Sequence, residues 1–254
     1  MSKRRAALLA FALPAALAAA WFLVTSVGGI KSYQLASPAD VWRELVTLGS
    51  DGLLWKNLAA SLQRVAIGFS VALGAAIVLA TAVGLSRPLE RALDPTLQAI
   101  RSIPSLAWVP LLLLWLGIGE TPKITLIAIG AFFPIYVNLV SGIHNVDRKL
   151  VEVGNVLGLG RFDLARRIVL PAALPSLLVG ARIGLTQAWL FLVAAELIAS
   201  TRGLGFMLTE GQQIARTDEI LTAILLLALC GKFSESIMRA IEARLTRWTD
   251  GLPA

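Results

Sequence analysis

Apolar residues in this chain are grouped into long blocks that short polar stretches separate. About 20 consecutive apolar residues suffice for a helix to cross the hydrocarbon core of a bilayer. Five blocks are of roughly this length and a sixth is shorter; they are Ala6–Val24, Val65–Leu85, Ile103–Ile118, Ile124–Ile143, Leu174–Ala199 and Ile220–Lys232. The pattern predicts an all-α, polytopic membrane protein with about six transmembrane helices.

The composition supports a membrane protein. Hydrophobic residues make up 57% of the chain and charged residues 15%, and the mean hydropathy is +0.75. A soluble domain has about 45–50% apolar and about 25% charged residues. The single cysteine, Cys230, excludes an intramolecular disulfide and says little about the redox compartment.

Basic residues are distributed unevenly between the two predicted sides of the membrane. With six helices and a cytoplasmic N-terminus, fourteen of the 23 Lys and Arg residues are cytoplasmic, six are external and three lie in or beside helices. This positive-inside asymmetry accounts for the net charge of +7 without nucleic acid as a partner. Ala6–Val24 exceeds the 7–15 residues usual for the apolar part of a signal peptide, so we interpret it as the first transmembrane helix.

The largest predicted external segment is 37–57. Ser37 and Pro38 suit the N-cap and first position of a helix, and Gly49–Gly52 ends it. The residues predicted to share its apolar side are Val41, Trp42, Leu45 and Leu48. One interpretation is an amphipathic helix at the outer interface, with Trp42 and Trp55 as anchors. The other is a docking surface for a binding protein.

The second predicted span carries a stripe of small residues on one helix face. Its members recur at every fourth position and are Gly68, Ala72, Ala76, Ala80 and Gly84. Such a stripe allows close packing of helices. Arg64 continues the same line, so its guanidinium is predicted to face protein or a water-filled cavity. It then either pairs with a neighbouring helix or headgroup, or contacts an anionic substrate.

The fifth span has a polar face. The residues at helical spacing along it are Arg182, Thr186, Trp189, Val193 and Glu196. A charge at the centre of a bilayer costs at least ~2.5 kcal/mol on insertion scales, so protein or water must lie opposite. Arg182 and Glu196 are about 21 Å apart along a helix, too far to pair. Each is predicted to find a partner elsewhere, such as a second copy of the chain, and the face either lines a pathway or forms an interhelical network.

A polar island, 148–171, separates the fourth and fifth spans and carries five basic residues. We predict a short helix from about Asp147 to Leu157, a break at Gly158–Gly160 and a second helix near Phe162. Gly158 suits a C-terminal cap that requires a positive φ. Gly154 inside the helix costs roughly 1 kcal/mol relative to alanine, so either a close approach requires glycine at that position or the loop tolerates the cost.

The island resembles the EAA loop of ABC-importer permeases. The matching positions are Glu152, Val153, Gly154, Gly158, Ile168, Leu170 and Pro171, with departures from the family's preferred alanine at Val153 and Gly154. Further motifs resemble the nitrate/sulfonate/taurine branch of binding-protein-dependent permeases, with aliphatic sulfonate permeases the most similar. Among them are Arg101-x-Ile103-Pro104, Phe133-Pro134-Ile135-Tyr136, Leu170-Pro171-x-Ala173-Leu174-Pro175 and Ala194-Ala195-Glu196.

The resemblance implies a MetI-like type I importer fold in the bacterial inner membrane, with both termini cytoplasmic. Two ABC ATPase subunits, a second permease copy and an extracytoplasmic binding protein are the implied protein partners, alongside membrane lipid. The implied domains are 1–56, a permease domain over 57–241 and a tail over 242–254. The ATPase-coupling residues are expected to be Arg148, Glu152, Val153, Gly154, Leu157 and Gly158. The residues proposed to line the substrate pathway are Arg64, Arg182, Thr186 and Glu196.

The expected function is transport without catalysis in this chain. The sequence has no G-x-x-x-x-G-K-[ST] phosphate loop, so ATP and Mg²⁺ are assigned to the partner ATPase. No catalytic or metal-binding residue is predicted, because the lone His144 and Cys230 are far apart. The substrate that the resemblance implies is a small anion, an aliphatic sulfonate, delivered by a periplasmic or lipid-anchored binding protein. The alternative substrates are nitrate, taurine or a pyrimidine or thiamine precursor. A secondary transporter and a membrane-embedded hydrolase are more distant alternatives.

Overall fold

A computed structural model describes residues 3–27 and 31–248, without the side chains of residues 3–11, 105, 161 and 199. The described residues form helices and no strand. The α-helices are α1 (Lys3–Val27), α2 (Pro38–Ser50), α3 (Leu53–Leu85), α4 (Arg87–Ser102), α5 (Val109–Leu116), α6 (Glu120–His144), α7 (Arg148–Val156), α8 (Arg161–Leu164), α9 (Leu170–Ala199), α10 (Leu204–Gln213) and α11 (Thr217–Leu245). A 3₁₀ turn precedes α5, and a π-helical turn, Ala165–Val169, joins α8 to α9.

Four helical segments in the described part of the chain are long and apolar enough to cross a membrane. They are Leu53–Leu85, Glu120–His144, Phe162–Ile198 and Thr217–Leu245. The last is a 29-residue helix, much longer than the predicted span Ile220–Lys232. The described apolar part of α1, Ala12–Val27, is shorter than these four.

The predicted span Ile103–Ile118 is not one continuous helix. It consists of the 3₁₀ turn Ser105–Trp108 and the eight-residue α5, which ends at Gly117 with φ 74°. Pro104 and Pro110 lack the backbone N–H that a continuous helix requires, so the chain turns here. The axes of α4 and of this segment meet at an angle of 85°. The two pieces together would count as a fifth span if they cross the membrane as one interrupted helix.

One compact unit comprises Met1–Ala60 and Thr201–Ala228. In it Ser37 caps α2 as predicted: its Oγ accepts from the Asp40 N–H at 3.2 Å, and Asp40 Oδ2 accepts from the Ser37 N–H at 3.2 Å. The Ser37 hydroxyl also donates to Asp40, and these bonds hold the pKa of the Asp40 carboxyl below its ordinary value.

The buried side of α2 differs from the predicted one. Val41 and Leu48 are buried, but Trp42 is 67% exposed and Glu44 takes the inward position. The reason is an ionic partner: Arg216 donates to Glu44 and, at 2.9 Å, to Asp218. Asp218 and Glu44 together raise the pKa of the Arg216 guanidinium. A buried carboxylate is tolerated when such a partner compensates its charge.

The other compact unit comprises Ser61–Ser200 and Leu229–Ala254. Here the small-residue stripe of α3 packs against α6, as predicted. A Cβ atom on Gly68 would lie 2.7 Å from Ile127 Cγ2, and one on Gly84 would lie 3.0 Å from Ile143 Cδ1. The contact nearer the start of α3 is with the start of α6, and the contact nearer its end is with the end of α6. The two helices therefore run parallel where they touch.

Helices α6 and α9 pack closely in the opposite sense. A Cβ on Gly142 would lie 2.5 Å from Ser176 Cβ, and one on Gly184 would lie 2.9 Å from the carbonyl oxygen of Ala131. The contacts descend along α6 as they ascend along α9, so the two helices are antiparallel. The C-terminus of α6 and the N-terminus of α9 therefore lie at the same end, and α7 lies in the connection between them.

Candidate functional site

Helix α7 lies in the polar island, within one residue of the predicted bounds. Asp147 is its N-cap and accepts a 2.9 Å hydrogen bond from the Lys149 N–H. This bond satisfies one of the backbone donors that a helix start leaves free. Arg148 begins the helix, and the Glu152 side chain is exposed on it.

The end of α7 is the glycine-capped turn that the sequence predicted. Gly158 has φ 71°, its N–H donates to the Asn155 carbonyl at 3.0 Å, and the Leu159 N–H donates to the Gly154 carbonyl at 3.1 Å. This pair of bonds defines a Schellman motif, in which a left-handed residue closes the helix. The turn therefore requires the backbone freedom of glycine at position 158.

Gly154 is the point at which α7 contacts the chain that follows it. A Cβ atom there would lie 2.4 Å from Leu164 Cδ1 and 2.6 Å from Ile168 Cδ1. Leu159 Cδ1 would be 3.7 Å away, at ordinary van der Waals distance. Of the two explanations for glycine at position 154, the close approach is confirmed, and it fixes α7 against the start of the segment that continues into α9.

Helix α7 also carries a group of exposed apolar side chains. Four large side chains on the helix or at its cap are exposed: Leu150, Val153, Val156 and Leu157. Val156 is 87% exposed. Apolar side chains grouped on a polar loop are characteristic of a surface that another protein covers.

Arg64 lies at the other end of α6, in a buried network of ion pairs. Its Nε and Nη2 donate to Glu120 at 2.6 and 2.7 Å, which forms a two-pronged pair. Its Nη1 donates to Glu196 Oε1 at 2.6 Å. The Arg64 side chain is 2% exposed, and that of Glu196 is fully buried. The network ties α3, the start of α6 and the end of α9 together.

Two further side chains, a hydroxyl and an ammonium group, contact the two carboxylates of this network. The Ser61 hydroxyl lies 2.8 and 3.0 Å from the two oxygens of Glu196, and Lys123 Nζ lies 3.4 Å from Glu120 Oε1. Two cations thus face two carboxylates. The suggestion that Glu196 pairs with a second copy of the chain is unnecessary, because its partner is Arg64 of the same chain.

Glu120, like Ser61 and Lys123, is a residue of this network that sequence reasoning missed. It follows Gly119 in a polar turn and precedes the predicted span that starts at Ile124, so it resembled a loop residue. The structure instead places it at the first position of α6, with its side chain 46% exposed. An acid one turn before an apolar block, with Lys123 beside it, was the only available signal.

Arg182 is not part of that network. Its Nε lies 3.6 Å from Glu242 Oε2, and both side chains are partly exposed. Thr186 Oγ donates back to the Arg182 carbonyl at 3.2 Å. The polar face of α9 is therefore divided between two sets of partners, Glu242 for Arg182 and the Arg64 network for Glu196.

The comparisons with known proteins agree with the family features in the sequence. The family model described as "Binding-protein-dependent transport system inner membrane component" matches residues 72–247. The chain is 39% identical over 236 residues to the putative aliphatic sulfonates transport permease protein SsuC of Bacillus subtilis, covering 93% of this chain and 86% of the relative. It is 41% identical to the Escherichia coli protein of the same name, covering 93% and 90%.

Two further comparisons extend this similarity. The taurine transport system permease protein TauC of Escherichia coli is 38% identical, covering 92% of this chain and 87% of the relative. Among solved structures, an inward-facing conformation of the MetNI methionine ABC transporter matches with a TM-score of 0.68 at 19% identity, covering 78% of this chain and 98% of that chain. The structural match confirms the predicted importer-permease fold.

Proposed function

The chain belongs to the family of inner membrane components of binding-protein-dependent transport systems, and from this premise we propose that it is the permease subunit of an ATP-driven importer for an aliphatic sulfonate. The observation that carries the substrate is the similarity, over nearly the whole chain, to two permeases named for aliphatic sulfonates. The taurine relative supports the same head group, because taurine is itself a sulfonate with an added amine.

The energy source in this proposal is a pair of ABC ATPase subunits, which bind ATP and Mg²⁺. The exposed apolar side chains of α7 support their docking, since burial of a Val or Leu side chain contributes about 1.5–3 kcal/mol. Glu152 and Arg148 would make the polar contacts beside it. The Gly154 contact and the Schellman turn hold α7 rigidly against the start of α9, so displacement of α7 would move α9 as a body.

A homodimer with cytoplasmic termini completes the proposal. The excess of basic residues on the side of the polar island supports this orientation. It places α7 in the cytoplasm and α2 outside, where the exposed Trp42 and Trp55 would contact the outer lipid interface or the binding protein. A second copy of the chain would supply the other wall of the translocation pathway.

Uptake of labelled pentanesulfonate by cells that express the complete transporter tests the substrate. Cells with the ATPase and binding protein but no permease give the background. We expect uptake that excess alkanesulfonate abolishes and excess nitrate leaves unchanged. Background-level pentanesulfonate uptake in cells that accumulate nitrate would contradict the proposed substrate. Competition by taurine would show whether an amine beside the sulfonate is accepted.

A further inference from the structure

A cavity of about 360 Å³ lies between α4, α6 and α9. Its size is within the range of about 300–1,000 Å³ that is typical of small-molecule pockets. The lining residues that matter are Arg101 from the end of α4, Phe133 and Asn138 from α6, and Ile183, Gln187 and Phe191 from α9. These positions are in the middle of α6 and α9, away from the Arg64 network and from α7.

The local packing gives the cavity fixed walls. The Phe191 ring lies directly over Gly130, where a Cβ atom would be 1.8 Å from Phe191 Cδ2. Only glycine leaves room for the ring there. On the same wall, the Asn138 side-chain amide donates a 2.8 Å hydrogen bond to the Pro134 carbonyl. This bond fixes the amide and leaves its carbonyl oxygen and second N–H available.

The charge state of its surroundings distinguishes Arg101 from the two arginines that the sequence proposed for the pathway, Arg64 and Arg182. Arg64 is compensated by Glu120 and Glu196, and Arg182 has Glu242. Arg101 has no ion-pair partner among the residues that the structure describes. The Gln187 amide likewise makes no hydrogen bond within the described part of the chain.

An uncompensated guanidinium beside two amides and two aromatic rings matches one kind of ligand. The planar, permanently charged guanidinium binds two oxygens of an oxyanion at once. Phe133, Phe191 and Ile183 offer contact to an alkyl chain. Arg101 is exposed, so its guanidinium is accessible to a ligand in the cavity. The cavity therefore suits a small amphipathic anion.

We propose that this cavity binds the alkanesulfonate during its passage through the membrane, with the sulfonate on Arg101 and Gln187 and the alkyl chain against Phe133 and Phe191. The proposal rests on the sulfonate importer function above and deepens it. It also proposes a different pathway cation: the sequence pointed to Arg64 and Arg182, whereas the cation that lines this cavity is Arg101.

Binding of pentanesulfonate to the purified permease in lipid nanodiscs, by titration calorimetry, tests the site without the partner subunits. Arg101→Gln should weaken binding by roughly tenfold or more, because it removes a charge-assisted bond. Arg101→Lys should retain part of the affinity. Arg91→Gln is the matched control, since it makes the same charge change on another exposed residue of α4 that does not line this cavity, and it should leave binding unchanged.

The alkyl contact is tested separately by the length of the chain. Wild-type protein should bind pentanesulfonate more tightly than methanesulfonate, and Phe133→Ala should reduce that preference severalfold. Size-exclusion profiles establish that each variant is folded. Arg101→Gln protein that is folded and binds pentanesulfonate as tightly as wild type would overturn the site, even if cellular uptake shows the importer function to be correct. Absence of sulfonate uptake by the wild-type transporter would instead count against the function.

Discussion

Arg64 Nη1 donates a 2.6 Å hydrogen bond to Oε1 of Glu196, a residue 132 positions later in the chain. The same guanidinium holds Glu120 through two bonds, so one side chain links three helices. All three of its donor nitrogens are engaged by carboxylates. An anionic substrate would have to displace one of these carboxylates to reach Arg64, which favours the structural of the two roles predicted for this residue.

Removing one partner of the Arg64 network should destabilise the protein. Glu196→Gln leaves the buried Arg64 charge incompletely compensated, and breaking a buried pair in this way costs about 3–5 kcal/mol. We expect a lower melting temperature in detergent and less protein in the membrane. Glu120→Gln should have a smaller effect, because the Glu120 side chain is 46% exposed.

Uptake per folded molecule separates an effect on protein stability from an effect on transport. Uptake per folded molecule of Glu196→Gln should remain near the wild-type value. Unchanged thermal stability with uptake lost would contradict the structural role and return Arg64 and Glu196 to the pathway.

Gly158→Val should uncouple the permease from its ATPase. The residue has φ 71°, and a non-glycine residue in the left-handed region costs about 1–2 kcal/mol, more when it is β-branched. No atom lies within 4 Å of the added Cβ, so backbone strain is the cause and not a clash. The measurements are co-purification of the ATPase and substrate uptake at equal membrane levels.

Gly160→Val is the matched control for that substitution. Gly160 also has open space around its Cβ position but does not have a positive φ. It should retain both ATPase binding and uptake. If the two variants transport equally well, the Gly158 turn has no part in coupling.

Gly154 should tolerate alanine and reject larger residues. The atoms that an added Cβ would meet are the ends of the Leu164 and Ile168 side chains, which can shift. The gain in helix propensity, roughly 1 kcal/mol, also favours alanine. Gly154→Ile should separate α7 from its support and reduce ATPase binding. Leu164→Ala in the same chain should partly restore it; a double variant no better than Gly154→Ile would argue against this contact.

The Arg182–Glu242 pair should contribute little to stability. It is partly exposed with a separation of 3.6 Å, and pairs of this kind contribute about 0–1 kcal/mol. We expect Arg182→Gln and Glu242→Gln each to retain uptake per folded molecule. If Arg182 lines the pathway instead, only the arginine variant should lose uptake, and Arg182→Lys should recover part of it.

Cysteine labelling tests the orientation. In a Cys230→Ser background, which removes the only native cysteine, a cysteine at the exposed Asp51 should react with a membrane-impermeant thiol reagent added outside. A cysteine at the exposed Val156 should react only in inverted vesicles. Reaction of both from outside intact cells would show that α7 is not cytoplasmic.

The sequence by itself determined the all-helical membrane fold, the helix and glycine turn of the polar island, and the family. These features are local: apolar block length decides which segments can cross a bilayer, and the backbone freedom of Gly158 decides where α7 ends. Even the close approach at Gly154 had a local signal, because glycine is unfavourable inside a helix.

Only the tertiary structure decided which polar groups meet. Glu120 reaches Arg64 across 56 positions, and Arg216 reaches Glu44 across 172, which buries an acid on the face of α2 where Trp42 was expected. The physical reason is that an ion pair depends on how separate helices pack, while hydropathy and spacing describe one helix at a time. For the same reason the cavity that α4, α6 and α9 form beside Arg101 could not be predicted from the family motif to which this residue belongs.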